Sequence, residues 1–315
     1  NCRKKLKENG LIFVLNEETK EAGIIGHDDS QEKYFIPKTI RHGNDDYRVT
    51  IIFENSFSKS QKVKLIEFPE DSEIRLIENS AFSHSSIESI TIPSNVKKIG
   101  KEAFRNCTKL TNVYFTDDSK LRSIDQYAFS WSSLVKINVP DHVKKICQFA
   151  FSECPKLQTV EFTKDSQLRV IKEYAFSSSS LESIRIPSHV NVLGKNAFSW
   201  CNRLTNVTFD DQSELCSIDK NVFHRTSIAS ITIPSRVKVI ENNAFHKCFN
   251  MKSIIFPNDS QLKSIEKKAF FRTSIQSVTM PSRLANLKDG WCWGTTKVFN
   301  VQVPSLNKNF GSIEG

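Results

Sequence analysis

A phenylalanine recurs along most of the chain at two alternating intervals. Ten such residues are spaced 25 and 22 residues apart in strict alternation, so two unit types make a 47-residue repeat. Self-similarity at this period is typical of solenoids, in which each unit buries its apolar face only against its neighbours. The ten residues are Phe57, Phe82, Phe104, Phe129, Phe151, Phe176, Phe198, Phe223, Phe245 and Phe270.

The residues between two such phenylalanines predict the path of one coil. Ile90 and Ile92 are two positions apart, which is the period of a strand with one buried face. Pro93 ends that strand because proline cannot donate to a ladder. Val96 and Ile99 form a second inward pair before the chain turns. We therefore expect each unit to be one coil, with the phenylalanines stacked in a spine.

The residues of these units resemble the motif of a known family. The units resemble the BspA-like leucine-rich repeats, whose hallmark is I-G-x-x-A-F followed by C-x-x-L-x-x-V-x-I-P. The matching residues are Ile99, Gly100, Ala103, Phe104, Cys107, Leu110, Val113 and Phe115, and the likeness extends roughly from Phe35 to Leu287. Acidic residues replace the glycine in several units, at Asp125, Asp219, Glu241 and Glu266. The resemblance implies a bacterial or protist protein, secreted or at the cell surface, that binds other proteins or host matrix.

The repeat also predicts the domain organisation. We expect a mainly β leucine-rich-repeat solenoid, a right-handed superhelix with a parallel concave sheet and capped ends. Residues 51–287 would form about ten alternating units. Residues 1–50 would form an N-terminal cap built on a hairpin, and residues 288–310 a C-terminal cap that covers the last strand edge. Residues 311–315 resemble a fusion linker with part of a protease site and are excluded from the fold.

The eight cysteines do not predict a disulfide framework. Cys107, Cys154, Cys201 and Cys248 occupy one column at two-unit spacing, which places neighbours roughly 10 Å apart. That exceeds the ~7 Å limit on the Cα separation of a bridge. Buried thiols are the favoured interpretation, and a metal ladder is the weaker alternative.

No sequence pattern predicts catalysis. The chain has no phosphate-cradling glycine loop, no zinc-protease motif and no nucleophile elbow. His224 and His246 each follow a spine phenylalanine and would come within about 5 Å, but no third ligand is visible. Two exposed polar residues at a turn are the favoured interpretation of this pair. We expect a non-enzymatic chain with no cofactor, no metal and no transmembrane segment.

One surface column varies strongly from unit to unit. On each strand the residue between the two inward positions faces the predicted concave surface. That column reads Glu67, Thr91, Tyr114, Asn138, Glu161, Arg185, Thr208, Thr232, Ile255 and Thr279. Tyrosine and arginine are enriched where interfaces concentrate their binding energy. The predicted partner-binding residues are Tyr114, Lys136, Asn138, Glu161 and Arg185; drift among unselected surface residues is the alternative.

A basic ladder is the second surface candidate. Seven residues before the spine phenylalanine, five consecutive units carry Arg75, Lys97, Arg122, Lys144 and Arg169. With the formal charge of +9, such a row could attract a heparin-like glycan or another anionic surface. No aromatic residues interleave with it, which disfavours nucleic acid. Solubility is the alternative reason for the row, since lysine and arginine shield strands from unwanted pairing.

The sequence therefore predicts a protein-binding module that uses the concave sheet. From the resemblance, we expect an adhesion or host-interaction protein at the cell surface or secreted, with a host cell-surface or matrix protein as partner. Binding of an anionic glycan through the basic ladder is the alternative function.

Overall fold

The computed structural model describes residues 4–295 and 300–302. They are β-strands and turns that form two compact units, residues 1–157 and 158–315. Each unit is a β-solenoid, as the repeat predicts. The described part contains no helix long and apolar enough to cross a membrane.

The N-terminal cap begins with a β-hairpin. Strands β1 (Lys4–Glu8), β2 (Leu11–Asn16) and β3 (Glu21–His27) are antiparallel neighbours, and β3 then pairs in parallel with β6 (Asp45–Ile52). Strand β5 (Thr39–His42) pairs antiparallel with β6. The apolar runs of β2 and β3 therefore form the expected hairpin and join it to the first coil.

The longer strands of each unit form what we call the front sheet. In the first unit its order is β4 (Lys33–Phe35), β7 (Leu65–Glu67), β9 (Ser89–Ile92), β11 (Asn112–Phe115) and β13 (Lys136–Val139). In the second unit the front strands are β15 (Thr159–Phe162), β17 (Ser183–Ile186), β19 (Asn206–Phe209), β21 (Ser230–Thr232), β23 (Ser253–Ile255), β25 (Ser277–Thr279) and β27 (Asn300–Gln302). The paired front strands run parallel, with one inward side chain for each outward one.

Two-residue strands form a second layer, the side sheet. In the first unit β6 continues into β8 (Leu76–Ile77), β10 (Lys98–Ile99), β12 (Ser123–Ile124) and β14 (Lys145–Ile146). In the second unit the side strands are β16 (Val170–Ile171), β18 (Val192–Leu193), β20 (Ser217–Ile218), β22 (Val239–Ile240), β24 (Ser264–Ile265) and β26 (Asn286–Leu287). The second residue of each of these strands, from Ile77 to Ile265, is a buried isoleucine or leucine that faces the core.

The phenylalanine spine exists within each unit as predicted. In the first unit, rings from Phe57 to Phe151 stack with centroids 5.0–5.3 Å apart. In the second unit, rings from Phe176 to Phe270 stack at 5.2–5.6 Å. All ten side chains are fully or almost fully buried. The spine therefore supplies a continuous aromatic core to coils that are each too thin to have their own.

The turn around each spine phenylalanine uses left-handed backbone at residues other than glycine. At Phe104 the flanking residues Glu102 and Asn106 have φ values of 59° and 56°. This conformation costs roughly 1–2 kcal/mol per residue. It turns the N–H of Glu102 toward the carbonyl of Gln126 and the N–H of Asn106 toward that of Ser130, both at 2.9 Å. These bonds between coils offset the local strain.

The four column cysteines are buried free thiols, which confirms the prediction. Each donates its S–H to the carbonyl of the spine phenylalanine one coil earlier; the distance from Cys107 Sγ to Phe82 O is 3.0 Å. The same Sγ lies 3.6 Å from the hydroxyl of Ser85. Ser or Thr alternates with Cys along this column, so each thiol has a hydroxyl neighbour and no cysteine on the adjacent coil. The thiols therefore take part in a buried row of hydrogen bonds and are not placed to form disulfides.

The edge of the front sheet at the far end of the second unit is described at residues 300–302. Strand β27 pairs in parallel with β25 and so covers that edge. Most of the predicted C-terminal cap, residues 296–299 and 303–310, lies outside the described residues, as do residues 311–315.

Candidate functional site

In the first unit, the outward column of the front sheet begins at Phe35 on β4, one strand before Glu67, where the column predicted from the sequence begins. The register places Phe35 beside Glu67, and Thr91 beside Tyr114, with Glu67 and Thr91 on adjacent strands. The Phe35 side chain is 53% exposed and that of Tyr114 is 56% exposed. Two solvent-facing aromatic rings therefore stand at either end of a four-strand row.

A cleft of about 420 Å³ lies between these two rings. The residues that line it include Phe35, Tyr114, Phe68, Pro69 and Thr91. Glu67 borders the cleft and forms an ion pair with Lys33, at 2.6 Å between Nζ and Oε1. The sequence pattern pointed to Tyr114 but not to Phe35, because β4 belongs to the irregular first coil, outside the strict alternation.

The other two predicted residues of the first unit lie on the next front strand. Asn112 of β11 is level with Lys136 of β13, and both Lys136 and Asn138 are exposed on the outward face. The amide of Asn138 therefore continues the column that contains Tyr114. These residues and the cleft form one continuous outward face, which we call the Tyr114 face.

Glu161 and Arg185 lie in the second unit, on β15 and β17. Glu161 is exposed. The Arg185 guanidinium donates to the Asp210 carboxylate and to the carbonyls of Phe162 and Thr163, at 2.6 and 3.1 Å for the two carbonyls. Arg185 thus braces adjacent front strands, and its charge is offset within its own unit.

The second unit has a larger and more polar cleft on its front sheet. It encloses about 560 Å³ and is lined by hydroxyl, amide and carboxylate side chains, among them Asn206, Thr208, Asp211, Thr232 and Asp259. Thr208 and Thr232 belong to the outward column, whose later positions are mostly threonine. None of the described residues that line this cleft is an exposed aromatic ring.

The basic ladder is a real row in the first unit. The N–H of Lys97 donates to the carbonyl of Arg75, that of Arg122 to Lys97, and that of Lys144 to Arg122, at 3.0, 3.0 and 2.9 Å. All four side chains are exposed. Arg75 is partly neutralised by Glu21 at 3.2 Å and Glu73 at 3.9 Å.

The other ladder cations differ from Arg75. Lys97, Arg122 and Lys144 form no ion pair with a carboxylate that the structure describes. Arg169 lies in the second unit, where its positive charge contributes to lowering the pKa of Glu214, after the larger effect of the hydrogen bond from His189. The ladder therefore presents three positive charges on consecutive coils of the first unit, without a described carboxylate to compensate them.

Among residues 4–295, no group of three His, Cys, Asp or Glu side chains is placed to hold a metal ion. His224 and His246 do come together, with ring centroids 4.9 Å apart. Both are half-buried, so the expectation of two exposed polar residues was wrong. Burial also raises the pKa of the Cys107 and Cys201 thiols to about 12, which removes them as nucleophiles at neutral pH.

Comparison with known proteins supports the same architecture. The family model for the BspA type leucine rich repeat region matches residues 32–130, 122–248 and 216–313, in six copies. No protein with a curated description matches the chain.

Three solved structures are similar across nearly the whole chain. A leucine-rich-repeat protein from Bacteroides ovatus has a TM-score of 0.67 and 19% identity, covering 95% of this chain and 90% of that one. A leucine rich cell surface protein from Faecalibacterium prausnitzii has a TM-score of 0.53 and 20% identity, covering 99% and 100%. The pneumococcal vaccine antigen PcpA has a TM-score of 0.55 and 21% identity, covering 95% and 81%.

These structural likenesses show the fold, and the family model matches most of the residues. The chain belongs to the BspA-type leucine-rich-repeat family.

Proposed function

We propose that the chain is a non-catalytic protein-binding module, and that the Tyr114 face is where its partner binds. The observation that carries this proposal is the pair of exposed rings, Phe35 and Tyr114, at the two ends of one cleft. Large aromatic side chains left in water on a rigid sheet bring substantial apolar area to an interface at little entropic cost. Family membership favours a protein-interaction role.

The surroundings of the two rings fit a protein interface. Glu67 and Lys33 place an ion pair beside the apolar cleft, and the amide of Asn138 and the charge of Lys136 follow at its far side. A central apolar patch with a polar rim is the usual anatomy of a specific interface. The partner is expected to insert an apolar side chain between the rings and to place polar groups along the rim.

The location of this activity is expected at a cell surface or outside the cell. Two of the structurally similar proteins are described as a cell surface protein and a vaccine antigen. A host cell-surface or matrix protein is therefore the partner we would test first, and adhesion is the biological role that would follow.

The test is a binding screen with matched variants. The full chain, a Phe35→Ala/Tyr114→Ala variant and a Trp131→Ala variant are immobilised and presented with purified matrix and cell-surface proteins. Trp131 is a suitable control because its side chain is 50% exposed but lies on a phenylalanine turn away from the front sheet. We expect a partner to be retained by the native chain and by Trp131→Ala, with loss of about tenfold in affinity in the double variant.

Retention of every bound protein by the double variant at undiminished affinity would refute the Tyr114 face as the binding surface. A panel in which no protein binds the native chain would refute the host-protein partner.

A second candidate function is the binding of a heparin-like glycan to the basic ladder. Its supporting observation is that Lys97, Arg122 and Lys144 follow one another on consecutive coils without a described acidic partner. Lys97→Glu/Lys144→Glu should then weaken heparin binding, while Lys59→Glu/Lys109→Glu, the same charge change elsewhere in the first unit, should not. Equal heparin binding by the two double variants would remove this candidate.

A further inference from the structure

A second set of aromatic rings lies on the surface of the second unit, outside the front sheet. The rings of His224, His246, Phe271 and Trp293 follow one another on consecutive phenylalanine turns, with centroids 4.9, 4.7 and 5.6 Å apart. Trp200 lies against His224 at 5.8 Å and begins the row. We call these five side chains the ring column.

The repeat frame does not require rings at these positions. In the preceding coils of the second unit the residue after the spine phenylalanine is Ser177 and then Ser199, whose hydroxyls lie 3.0 Å apart in the interior. The change from serine to His224, His246 and Phe271 brings large side chains to a place where a small hydroxyl satisfies the fold. A role beyond folding is the simplest reason for such a change.

Cations lie over two of these rings. The Arg225 guanidinium lies over the Trp200 indole, 4.1 Å from its centroid, and Arg272 and Lys268 lie over the Phe271 ring at 5.3 and 5.7 Å. Contacts of this kind hold each cation beside a ring face without neutralising it.

The cations of this surface have no carboxylate partner among the residues that the structure describes. None of Arg225, Lys247, Lys268 and Arg272 forms an ion pair with a carboxylate in the described part of the chain. In the first unit, by contrast, Arg105 also lies over a ring, that of Tyr127, but pairs with Glu102 at 3.3 Å. The cations beside the ring column are therefore not neutralised by any described acidic side chain.

Several polar atoms of the column are also unsatisfied. His224 Nδ1, His246 Nε2 and Arg225 Nε are buried and have no hydrogen-bond partner among the described residues. Nδ1 of His246 is used, since it lies 2.9 Å from Asn243 Oδ1. Buried polar atoms without partners are uncommon in folded proteins, and a bound ligand is one way of satisfying them.

We propose that the ring column, with Arg225, Lys247, Lys268 and Arg272, is a binding site for a linear anionic glycan. The flat faces of the exposed Trp200 and Trp293 rings can pack against the C–H faces of sugar rings. The cations beside them meet the sulfate or carboxylate groups. This site is separate from the Tyr114 face and from the basic ladder, so it stands whether or not either of those binds a partner.

The spacing of the cations favours a glycan over an acidic protein segment. The N–H of Arg225 donates to His246 O, that of Lys247 to Phe271 O, and that of Arg272 to Trp293 O, so the three cations stand on successive rungs. A sulfated glycan can carry an anionic group on every sugar, which matches a cation on every rung. An extended peptide presents only every second side chain to one face.

The packing of the rings disfavours single-stranded nucleic acid. A base held between two rings needs a gap of about 7 Å, twice the usual stacking distance of about 3.4 Å. Neighbouring rings in the column are only 4.7–5.8 Å apart and meet edge to face at 61–89°. The described rings leave no slot in which consecutive bases could stack.

The experiment measures the affinity of the full chain for a heparin-derived dodecasaccharide as a function of NaCl concentration. Lys247→Glu/Arg272→Glu should weaken binding about tenfold or more and reduce the salt slope by about two. Trp293→Ala should also weaken binding, although it changes no charge. Lys59→Glu/Lys109→Glu, which reverses two exposed charges of the first unit outside the basic ladder, is the matched double charge reversal and should leave the affinity unchanged. Thermal unfolding of each variant verifies that the fold is intact.

Binding to the native chain should also quench the fluorescence of the exposed indoles, a readout that needs no variant. Unchanged affinity in both Lys247→Glu/Arg272→Glu and Trp293→Ala would overturn the proposal. If poly-glutamate of matched charge bound with equal affinity, the ligand class would be an acidic protein and not a glycan. Equal affinity for the oligonucleotide dT12 would overturn the proposal in favour of nucleic acid.

Discussion

Phe82 and Phe104 stack with their ring planes 2° apart and their centroids 5.0 Å apart. Parallel rings at this separation must be offset, because rings in direct register would sit closer. The two residues are one short unit apart in the chain, and Phe104 has the same relation to Phe129 one long unit later, at 5.2 Å. The short and the long units therefore both place the spine phenylalanine at the same position in the coil.

Removal of one spine ring should destabilise the fold strongly. Phe104→Ala is expected to lower the free energy of unfolding by about 3–5 kcal/mol, since the cavity it leaves is enclosed by two neighbouring rings. Urea denaturation followed by circular dichroism measures this. Tyr114→Ala, which removes an exposed ring, is the control and should change stability by less than about 0.5 kcal/mol. Equal losses in both variants would contradict the buried spine.

Gly100 is required because of the close approach of two coils. A Cβ added to this residue would lie 2.6 Å from the carbonyl carbon of Glu78, which is backbone and cannot move away cheaply. Gly100→Ala is expected to cost about 1–3 kcal/mol of overpacking. Thermal unfolding measures this loss, and Gly26→Ala, whose Cβ would meet only Ile12 Cδ1 at 3.6 Å, should be nearly neutral in the same assay. Comparable losses at the two sites would show that the coils can separate.

The ring column should make stability depend on pH. Burial, helped by the positive charges of His224, Lys247, Lys268 and Arg225, lowers the pKa of His246 to about 4, against an ordinary value of 6.5. Between these values the unfolded chain binds a proton that the folded chain does not. The free energy of unfolding should therefore fall as the pH drops from 6.5 toward 4, and the contribution is fully present above 6.5.

The His246→Asn variant tests the origin of this dependence. It should show a shallower decline in stability over pH 6.5 to 4 than the native chain, measured by urea denaturation at each pH. His42→Asn, in the N-terminal cap, is the control and should keep the native slope. A slope unchanged by His246→Asn would show that other groups cause the pH dependence.

The cysteines should differ widely in reactivity. Burial raises the pKa of Cys154 and Cys248 to about 11, and no solvent reaches either thiol. Cys216 is exposed. The rate at which the thiols of the folded protein react with a chromogenic disulfide reagent measures this difference. Cys216→Ser should remove one thiol equivalent from the fast phase of that reaction. The four column thiols should react only when the protein unfolds. Fast reaction of Cys154 or Cys248 in the folded protein would contradict the assignment.

Much of the fold could be predicted from the sequence because the same pattern of apolar core positions recurs in ten units. The spine phenylalanines occupy one structural position in every unit, as do inward residues such as Ile90, and a proline such as Pro93 follows the front strand in every second unit. The buried cysteine column followed from the same register. An apolar side chain that recurs at one fixed place in every unit is typical of a shared core position.

The candidate sites were harder to predict because they depend on departures from the repeat. Phe35 lies in the first, irregular coil, so its alignment with Tyr114 became visible only from the strand pairing. The ring column lies in a turn whose left-handed residues, such as Arg225 and Lys247, are not glycines. The ion pair between Arg185 and Asp210 could not be predicted either, because neither residue recurs at its position in the other units.

Contact between the Tyr114 face and a protein partner can be measured by side-chain footprinting of the complex. Hydroxyl-radical oxidation of each exposed ring is followed by mass spectrometry with and without a saturating amount of a protein identified in the binding screen. We predict that Phe35 and Tyr114 become protected while Trp131 keeps its free rate. Oxidation of Phe35 and Tyr114 at the free rate in the saturated complex would contradict binding at this face.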